Sequence, residues 1–228
     1  RPFLLHGITG SGKTEVYFRA AERALQAGRS ALLLVPEIAL TPFLVRAAVA
    51  RFGDTVAVQH SELSVGERHD QWWRIREGEA RVVVGARSAV FAPLASPGLV
   101  VVDEEHEASY KQDDSPRYHA RDVAVMRARF EGAVVLLGSA TPSLESYENA
   151  RKGKYTLLSL PRRVSALGLP RVAIVDRRTV LKAGGDAILS PPLREALEAR
   201  LRRNEQALLL LNRRGWAQSL VCRECGQQ

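Results

Sequence analysis

The sequence predicts an α/β fold in which helices cover both faces of a parallel sheet. Short apolar runs alternate along the chain with segments that have the period of amphipathic helices. Several runs are continuously apolar, which is typical of strands buried on both faces. These runs are residues 3–5, 31–35, 56–58, 82–84, 99–102 and 134–137. Ligands bind beyond the carboxyl ends of such strands, so the residues after each run are the candidates for function.

The first strand leads into Gly7-Ile8-Thr9-Gly10-Ser11-Gly12-Lys13-Thr14, which fits the phosphate-loop pattern G-x-x-x-x-G-K-[S/T]. A helix-periodic segment follows and stops at Gly28. The glycines let several backbone N–H groups reach a phosphate at once, and a helix N-terminus favours an anion. A dinucleotide fingerprint fits less well, because the glycine order here is G-x-x-G-x-G. The predicted nucleotide-binding residues are Gly7, Thr9, Gly10, Ser11, Gly12, Lys13 and Thr14, with Lys13 on the β/γ-phosphates and Thr14 on Mg²⁺.

Two further helices have recognisable beginnings. Thr41 is predicted to cap a helix whose first residue is Pro42. Ser64 and Glu67 have the spacing of a capping box, which predicts a helix that ends near Gly78.

The run at residues 99–102 ends in Asp103-Glu104-Glu105-His106. Carboxylates that emerge from a buried strand are unfavourable unless a cation is near, and Mg²⁺ on a nucleotide is the obvious candidate. Asp103 is predicted to hold the hydration shell of the ion, and Glu104 to position and deprotonate the attacking water. A solvated acidic loop is the alternative, which the phosphate loop in the same sheet disfavours.

Other strand ends suggest contacts with a polynucleotide. Arg87 and Ser88, with Thr41, are candidates for gripping a sugar-phosphate backbone, although turn and cap formation explains Thr41 equally well. The hydrophilic segment 107–121 interleaves aromatic and cationic residues, which suits stacking on unpaired bases, and a plain surface loop is its alternative. Its candidates are Tyr110, Lys111, Arg117 and Tyr118. Ser139 and Thr141 are candidates for coupling the acidic cluster to another site through hydrogen bonds, and the alternative is that Ser139 and Ser143 merely start the next helix.

Composition places the chain among cytoplasmic proteins that can meet a polyanion. No apolar run approaches the roughly 18 residues of a membrane span, and the two cysteines do not form a secreted disulfide framework. Residues 1–150 carry 17 Lys and Arg against 19 Asp and Glu, whereas residues 151–228 carry 16 against 6. The excess positive charge of the last third suits nucleic acid, or is an arginine-rich solvated face. We expect the chain to be a piece of a longer protein, since it opens at Arg1-Pro2 and its one methionine is Met126.

The last third reads as a linker followed by new elements. Residues 161–170 are a plausible linker, residues 172–175 are strand-like, a helix begins at Ser190-Pro191, and residues 207–211 read as a buried strand. Arg213 and Arg214 follow that strand and face either a cleft with its nucleotide or the basic surface. Cys222 and Cys225 form half of a tetrahedral thiolate site, and a redox pair is the competing interpretation.

These motifs, in this order, resemble the superfamily 2 helicases, and among them the bacterial replication-restart family of primosomal protein N′ (PriA). The matching stretches are residues 7–17, 36–41, 60–64, 85–93, 103–106, 110–112, 117–122, 138–145, 211–215 and 222–226. The resemblance implies a RecA-like P-loop lobe at 1–160, a linker at 161–170, the beginning of a second RecA-like lobe at 171–221 and the start of a zinc-binding module at 222–228.

The resemblance also implies an ATP-driven 3′-to-5′ DNA helicase that acts at stalled or abandoned forks. Lys13, Asp103 and Glu104 would be catalytic with ATP and Mg²⁺, and Cys222 and Cys225 would bind Zn²⁺ with two further ligands. DNA contacts would come from Ile38, Thr41, Arg87 and Ser88, and from the segment that contains Tyr110, Lys111, Arg117 and Tyr118. Coupling would come from His106, Ser139, Thr141, Arg213 and Arg214.

Expected partners are branched and single-stranded DNA, primosome and helicase-loading proteins, and single-stranded DNA-binding protein, with the protein a monomer. We expect the isolated chain to bind ATP but to hydrolyse it poorly, because the second lobe supplies an arginine finger in such motors. Two alternatives are a non-motor primosome-recruitment module and a duplex DNA translocase of the same superfamily.

Overall fold

The structure, a computed structural model, describes residues 2–36, 42–164, 171–182 and 189–210. The chain divides into two units, residues 1–167 and 168–228. The strands are β1 Phe3–Gly7, β2 Ser30–Leu34, β3 Val56–Gln59, β4 Val82–Gly85, β5 Pro97–Asp103, β6 Lys111–Gln112, β7 Tyr118–His119, β8 Val134–Ser139 and β9 Thr156–Leu160. The helices are α1 Lys13–Gln26, α2 Pro42–Phe52, α3 Val65–Arg76, α4 Ala120–Phe130, α5 Leu144–Arg151, α6 Arg177–Lys182 and α7 Pro191–Leu201.

The first unit is built on a parallel sheet of seven strands in the order β3-β4-β2-β5-β8-β1-β9. Alternate residues of β2 point to opposite faces. Leu32 and Leu34 join a core cluster that includes residues of α3 and α4, whereas Ala31 and Leu33 join a cluster with residues of α1 and α2. The predicted α/β fold, with helices on both faces of a parallel sheet, is therefore confirmed.

All six predicted apolar runs of this unit are strands, and the helix boundaries follow the predicted signals. α2 begins at Pro42, and Thr41 lies outside the described residues. The Ser64 side chain accepts from the Glu67 backbone N–H while the Glu67 carboxylate accepts from the Ser64 N–H, so the capping box at the start of α3 is confirmed.

Three strands were not predicted. β9 pairs with β1 at the edge of the sheet, and its Leu157 and Leu158 are 44% and 39% exposed, so it lacks the apolar signal of a central strand. β6 and β7 form a short antiparallel hairpin inside the segment that we predicted to be a loop. The hairpin is two residues a side, too short for a period to be visible in the sequence.

The described part of the second unit contains α6 and α7, and α7 begins after Ser190 as predicted. The strands predicted at residues 172–175 and 207–211 are wrong in the part of the chain that is described: residues 172–175 and 207–210 form no strand, and residue 211 lies outside the described residues. A strand needs a hydrogen-bonded neighbour, and Ile174, Leu208 and Leu210 are more than 90% exposed instead of packed against one. None of the helices in the described ranges combines the length and apolar character that a membrane span requires.

Candidate functional site

The phosphate loop connects the end of β1 to the start of α1. Gly12 immediately precedes α1 with φ 90° and ψ 21°, a left-handed conformation that side chains disfavour. Gly7 is equally constrained by space, because a Cβ atom there would lie 2.6 Å from Oγ of Ser11. Thr14 is exposed in the first turn of α1. Gly12 thus supplies the backbone conformation of this turn, and Gly7 leaves room for the Ser11 side chain.

Lys13 reaches across the loop to the acidic end of β5. Its Nζ donates a 2.9 Å hydrogen bond to the Gly7 carbonyl and lies 3.5 Å from Oε1 of Glu104. The Lys13 side chain is only 10% exposed. Glu104 has φ 44°, in the left-handed region, so the backbone turns sharply where β5 ends. Two residues that were predicted to be catalytic from separate motifs therefore meet at one edge of the sheet.

Asp103 is held by a tyrosine on each side. The Tyr17 hydroxyl donates a 2.8 Å hydrogen bond to Oδ1 of Asp103, and the Tyr110 hydroxyl donates one of 2.6 Å to its backbone carbonyl. Burial raises the pKa of the Asp103 carboxyl, and the Tyr17 hydrogen bond opposes that rise. Gly138 of β8 makes room for Tyr17, since a Cβ atom there would lie 1.7 Å from the tyrosine oxygen.

The predicted coupling residues of the first unit form one hydrogen-bonded chain. His106 Nδ1 lies 2.8 Å from Oγ of Ser139 and 3.6 Å from Oε2 of Glu104. Its Nε2 lies 3.4 Å from Oγ1 of Thr141, whose backbone N–H donates to Ser139. The alternative was that Ser139 and Ser143 start the next helix. Only Ser143 caps α5, whereas Ser139 bonds to His106.

Glu105 is the third acidic residue of the cluster, and it is fully buried. Its carboxylate accepts from the backbone N–H and hydroxyl of Ser143 at 2.7 and 2.9 Å, and from the Ser146 hydroxyl at 2.7 Å. Arg121 donates to the same carboxylate at 3.2 Å and to Ser143 at 2.9 Å. Such a buried charge is tolerated because its oxygens are satisfied. The network ties the end of β5 to the first turns of α4 and α5.

Four of the predicted DNA contacts line a common cavity of about 120 Å³, namely Arg87, Ser88, Tyr110 and Tyr118. Arg87 donates to the carbonyl groups of Ser109 and Lys111 at 3.3 and 2.6 Å, and so braces the β6–β7 hairpin. The Tyr118 ring packs edge-on against Phe91, with 5.1 Å between the ring centroids. This surface combines a cation, a hydroxyl and aromatic rings.

Tyr110 differs from the prediction. It is fully buried, and its hydroxyl supports the backbone of Asp103, so its ring is not available to stack on a base in this structure. Lys111 and Arg117 are exposed on either side of the hairpin turn and share Asp113: Lys111 pairs with its carboxylate at 3.1 Å, and Arg117 donates to its carbonyl at 3.0 Å.

A DEAD/DEAH box helicase model matches residues 1–150. The chain belongs to the DEAD/DEAH box helicase family. A helicase of this family uses a nucleotide with Mg²⁺. The chain is 52% identical over 224 residues to the replication restart protein PriA of Bacillus subtilis (strain 168), a match that covers 98% of this chain and 28% of that protein. It is 48% identical over 228 residues to PriA of Synechocystis sp. (strain ATCC 27184 / PCC 6803 / Kazusa), covering 98% and 27%.

The resemblance to replication-restart helicases is therefore confirmed, and the chain spans less than a third of the length of these curated relatives. A solved structure of RecG bound to a three-way DNA junction is 23% identical, covering 73% of this chain and 22% of that one, with a TM-score of 0.52. That likeness supports the RecA-like helicase fold of the first unit.

Several predicted site residues lie outside the described residues. They are Ile38, Thr41, Arg213, Arg214, Cys222 and Cys225. Their roles stay predictions. Within the described ranges, no group of three or more His, Cys, Asp and Glu residues is arranged to hold a metal ion.

Sequence reasoning did not assign Tyr17, Glu105 and Arg121 to the site. Tyr17 reads as one of the apolar residues on the buried face of α1, and only its hydroxyl distinguishes it. Glu105 adjoins two predicted catalytic residues, but its partners Arg121 and Ser146 come from other helices. The one signal in the sequence was the position of Glu105 just after a buried apolar strand. A carboxylate that is buried there requires hydrogen-bond donors from elsewhere in the fold.

Proposed function

We propose that the chain is the nucleotide-binding part of an ATP-dependent DNA helicase that restarts replication at stalled or abandoned forks, moving 3′ to 5′. The observation that carries this is the meeting of the phosphate-loop Lys13 with Glu104, beside Asp103, at one edge of a parallel sheet. The identity of 52% to a replication restart protein supports the biological setting. We place the protein in the cytoplasm, at the nucleoid, as a monomer.

In this proposal the backbone of the phosphate loop binds the β- and γ-phosphates of ATP, and Lys13 neutralises part of their charge. Lys13 is already held within reach by Gly7 and Glu104, so it needs little reorganisation. Glu104 would orient the attacking water and accept its proton. The His106 contact to Glu104 links that carboxylate to Ser139 and Thr141.

Thr14 and Asp103 are suited to hold Mg²⁺, since hydroxyl and carboxylate oxygens are its usual protein ligands. The environment of Asp103 also supports a bound Mg²⁺ ion at this place. Burial raises the pKa of its carboxyl, and a nearby divalent cation would favour the ionised form. When bound, the ion would neutralise charge that develops on the phosphates during hydrolysis.

DNA would contact the surface formed by Arg87, Ser88 and Tyr118, with Lys111 and Arg117 attracting the backbone. RecG, whose fold the first unit shares, is known in a structure bound to a three-way DNA junction. Branched forks and single-stranded segments are the proposed DNA substrates. Primosome and helicase-loading proteins and single-stranded DNA-binding protein are the proposed partners. Zn²⁺ binding by Cys222 and Cys225 with two further ligands is part of the same proposal.

The test is unwinding of forked DNA by the full-length protein. Lys13→Ala should abolish ATP-dependent strand separation, a loss of more than about 100-fold, because the phosphates lose their cation. Lys154→Ala is the matched control, since Lys154 is exposed, and it should unwind within about twofold of wild type. Strand separation that survives in Lys13→Ala would contradict the proposal. Partner loading without unwinding in the wild-type protein would favour a recruitment module instead.

A further inference from the structure

The segment that follows β9 lies against the phosphate loop. We call residues 161–164 the β9 extension. The Ile8 N–H donates to the Leu160 carbonyl at 3.4 Å, and the Val164 N–H donates to the Gly10 carbonyl at 2.9 Å. A Cβ atom on Gly12 would lie 3.3 Å from Cγ2 of Val164. The extension is therefore held beside the loop by a backbone hydrogen bond and by packing.

Arg163 belongs to this contact. A Cβ atom on Gly10 would lie 4.0 Å from Cγ of Arg163, so the aliphatic stem of the arginine passes along the middle of the loop. The neighbouring Arg162 is exposed, whereas Arg163 is half-buried. The hydrogen bond of Val164 to Gly10 fixes the backbone next to Arg163 and so keeps the stem of that side chain beside Gly10.

Two polar atoms at this place lack partners. In the part of the chain that the structure describes, three buried side-chain polar atoms have no hydrogen-bond partner: Oγ of Ser11, Nε of Arg163 and Nδ1 of His119. The first belongs to the phosphate loop and the second to the β9 extension. A buried donor on a charged guanidinium without an acceptor is unfavourable, and such exceptions call for a ligand or another cause.

We propose that Arg163 is a phosphate-binding residue of the nucleotide site, contributed by the β9 extension. The proposal rests on the proposed function, in which the loop binds a nucleoside triphosphate. A guanidinium presents several N–H donors in a planar fork that matches phosphate oxygens. The unpartnered Nε–H donor needs an acceptor, which a phosphate oxygen supplies. The interaction is assigned to the phosphates because Arg163 lies beside Gly10 of the phosphate loop.

The test compares two methionine variants in the full-length protein. Arg163→Met keeps an unbranched stem over Gly10 but removes every donor, and Arg162→Met is the matched control. Mg²⁺ is present throughout, and ATP or tripolyphosphate, which has neither sugar nor base, displaces a fluorescent ATP analogue. Arg163→Met should weaken the binding of ATP and the binding of tripolyphosphate by the same factor, about 10- to 100-fold. Arg162→Met should bind both ligands with an affinity within about twofold of wild type.

Binding of both ligands by Arg163→Met within twofold of wild type would overturn the proposal. A loss of affinity for ATP without a loss of affinity for tripolyphosphate would overturn the proposal too, because Arg163 would then contact the nucleoside. Arg163→Lys, which keeps the charge, should lose less affinity than Arg163→Met, and a larger loss in Arg163→Lys than in Arg163→Met would overturn the proposal, because neither charge nor donors would then explain the effect. If wild-type protein bound neither ligand while DNA binding persisted, the proposed function itself would fail, which distinguishes the two failures.

Discussion

The Tyr17 hydroxyl donates a 2.8 Å hydrogen bond to Oδ1 of Asp103 and so joins the helix that follows the phosphate loop to the acidic end of β5. Burial raises the pKa of Tyr17 well above its usual value, and the Asp103 charge adds to the rise. The hydroxyl therefore stays protonated and remains a donor throughout the physiological pH range. A fixed donor of this kind orients one oxygen of the Asp103 carboxylate.

Tyr17→Phe should lower the ATPase rate of the full-length protein about tenfold, because a hydrogen bond to a charged group is lost while the ring packing is kept. Steady-state ATP hydrolysis with saturating DNA measures the effect. Tyr147→Phe is the control, since Tyr147 is 48% exposed on α5. Equal rates for Tyr17→Phe and wild type would show that Asp103 needs no support from this hydroxyl.

Gly138→Ala should destabilise the first unit by about 1–3 kcal/mol, because the added methyl group collides with the buried Tyr17 side chain. Urea unfolding of the 228-residue chain, followed by circular dichroism, gives the difference in the free energy of unfolding. Gly66→Ala is the matched control: Gly66 lies in α3 with nothing within 4 Å of the added Cβ. It should be neutral or stabilising by up to about 1 kcal/mol. Similar losses for both variants would contradict this steric account.

Much of the fold and part of the site could be predicted from the sequence. There is a physical reason why some elements were predictable and others were not. Central strands such as β4 and β8 are buried, so their apolar runs are conspicuous. The edge strand β9 is half-exposed and has no such run. Lys13 and Asp103 were predicted together because each follows a strand in a parallel sheet, where carboxyl ends share one edge.

The side-chain network around these residues was beyond prediction. Tyr110 was expected to stack on bases, since nothing local in the sequence distinguishes an aromatic residue on a surface loop from one folded under a strand end. Tyr110 is buried where its hydroxyl donates a hydrogen bond to the backbone carbonyl of Asp103. The Glu105 network likewise depends on residues from two later helices. Contacts between segments far apart in sequence leave no periodic pattern from which to read them.

Glu105→Gln should destabilise the first unit by about 3 kcal/mol, because Arg121 loses its buried charge partner and an amide N–H₂ faces the donors of Ser143 and Ser146. The urea unfolding midpoint of the 228-residue chain reports the change. Glu145→Gln serves as the control, since Glu145 is exposed in the first turn of the same helix, α5. A loss below about 0.5 kcal/mol in Glu105→Gln would mean that the charge contributes little to the fold.

His119 should make the stability of the first unit pH-dependent. Burial, with the charge of Arg121 second, lowers the pKa of His119 below its usual 6.5. The unfolded chain then binds more protons than the folded chain as pH falls through 6.5, so the free energy of unfolding decreases with acidification. One proton limits the slope to about 1.4 kcal/mol per pH unit.

His119→Gln should flatten this decrease, which urea unfolding at pH 7.5, 6.5 and 5.5 measures. His69→Gln, at a side chain that is 67% exposed, should leave the wild-type slope in place. An unchanged slope in His119→Gln would assign the acid sensitivity to other groups.

The most direct measurement is a crystal structure of the full-length protein with Mg²⁺ and a non-hydrolysable ATP analogue. We predict that Nζ of Lys13 binds the β/γ-phosphates while a carboxylate oxygen of Asp103 contacts the hydration shell of the ion on the same nucleotide. A nucleotide that touches the phosphate loop but leaves Asp103 in a separate pocket, too distant to share the ion, would contradict the account.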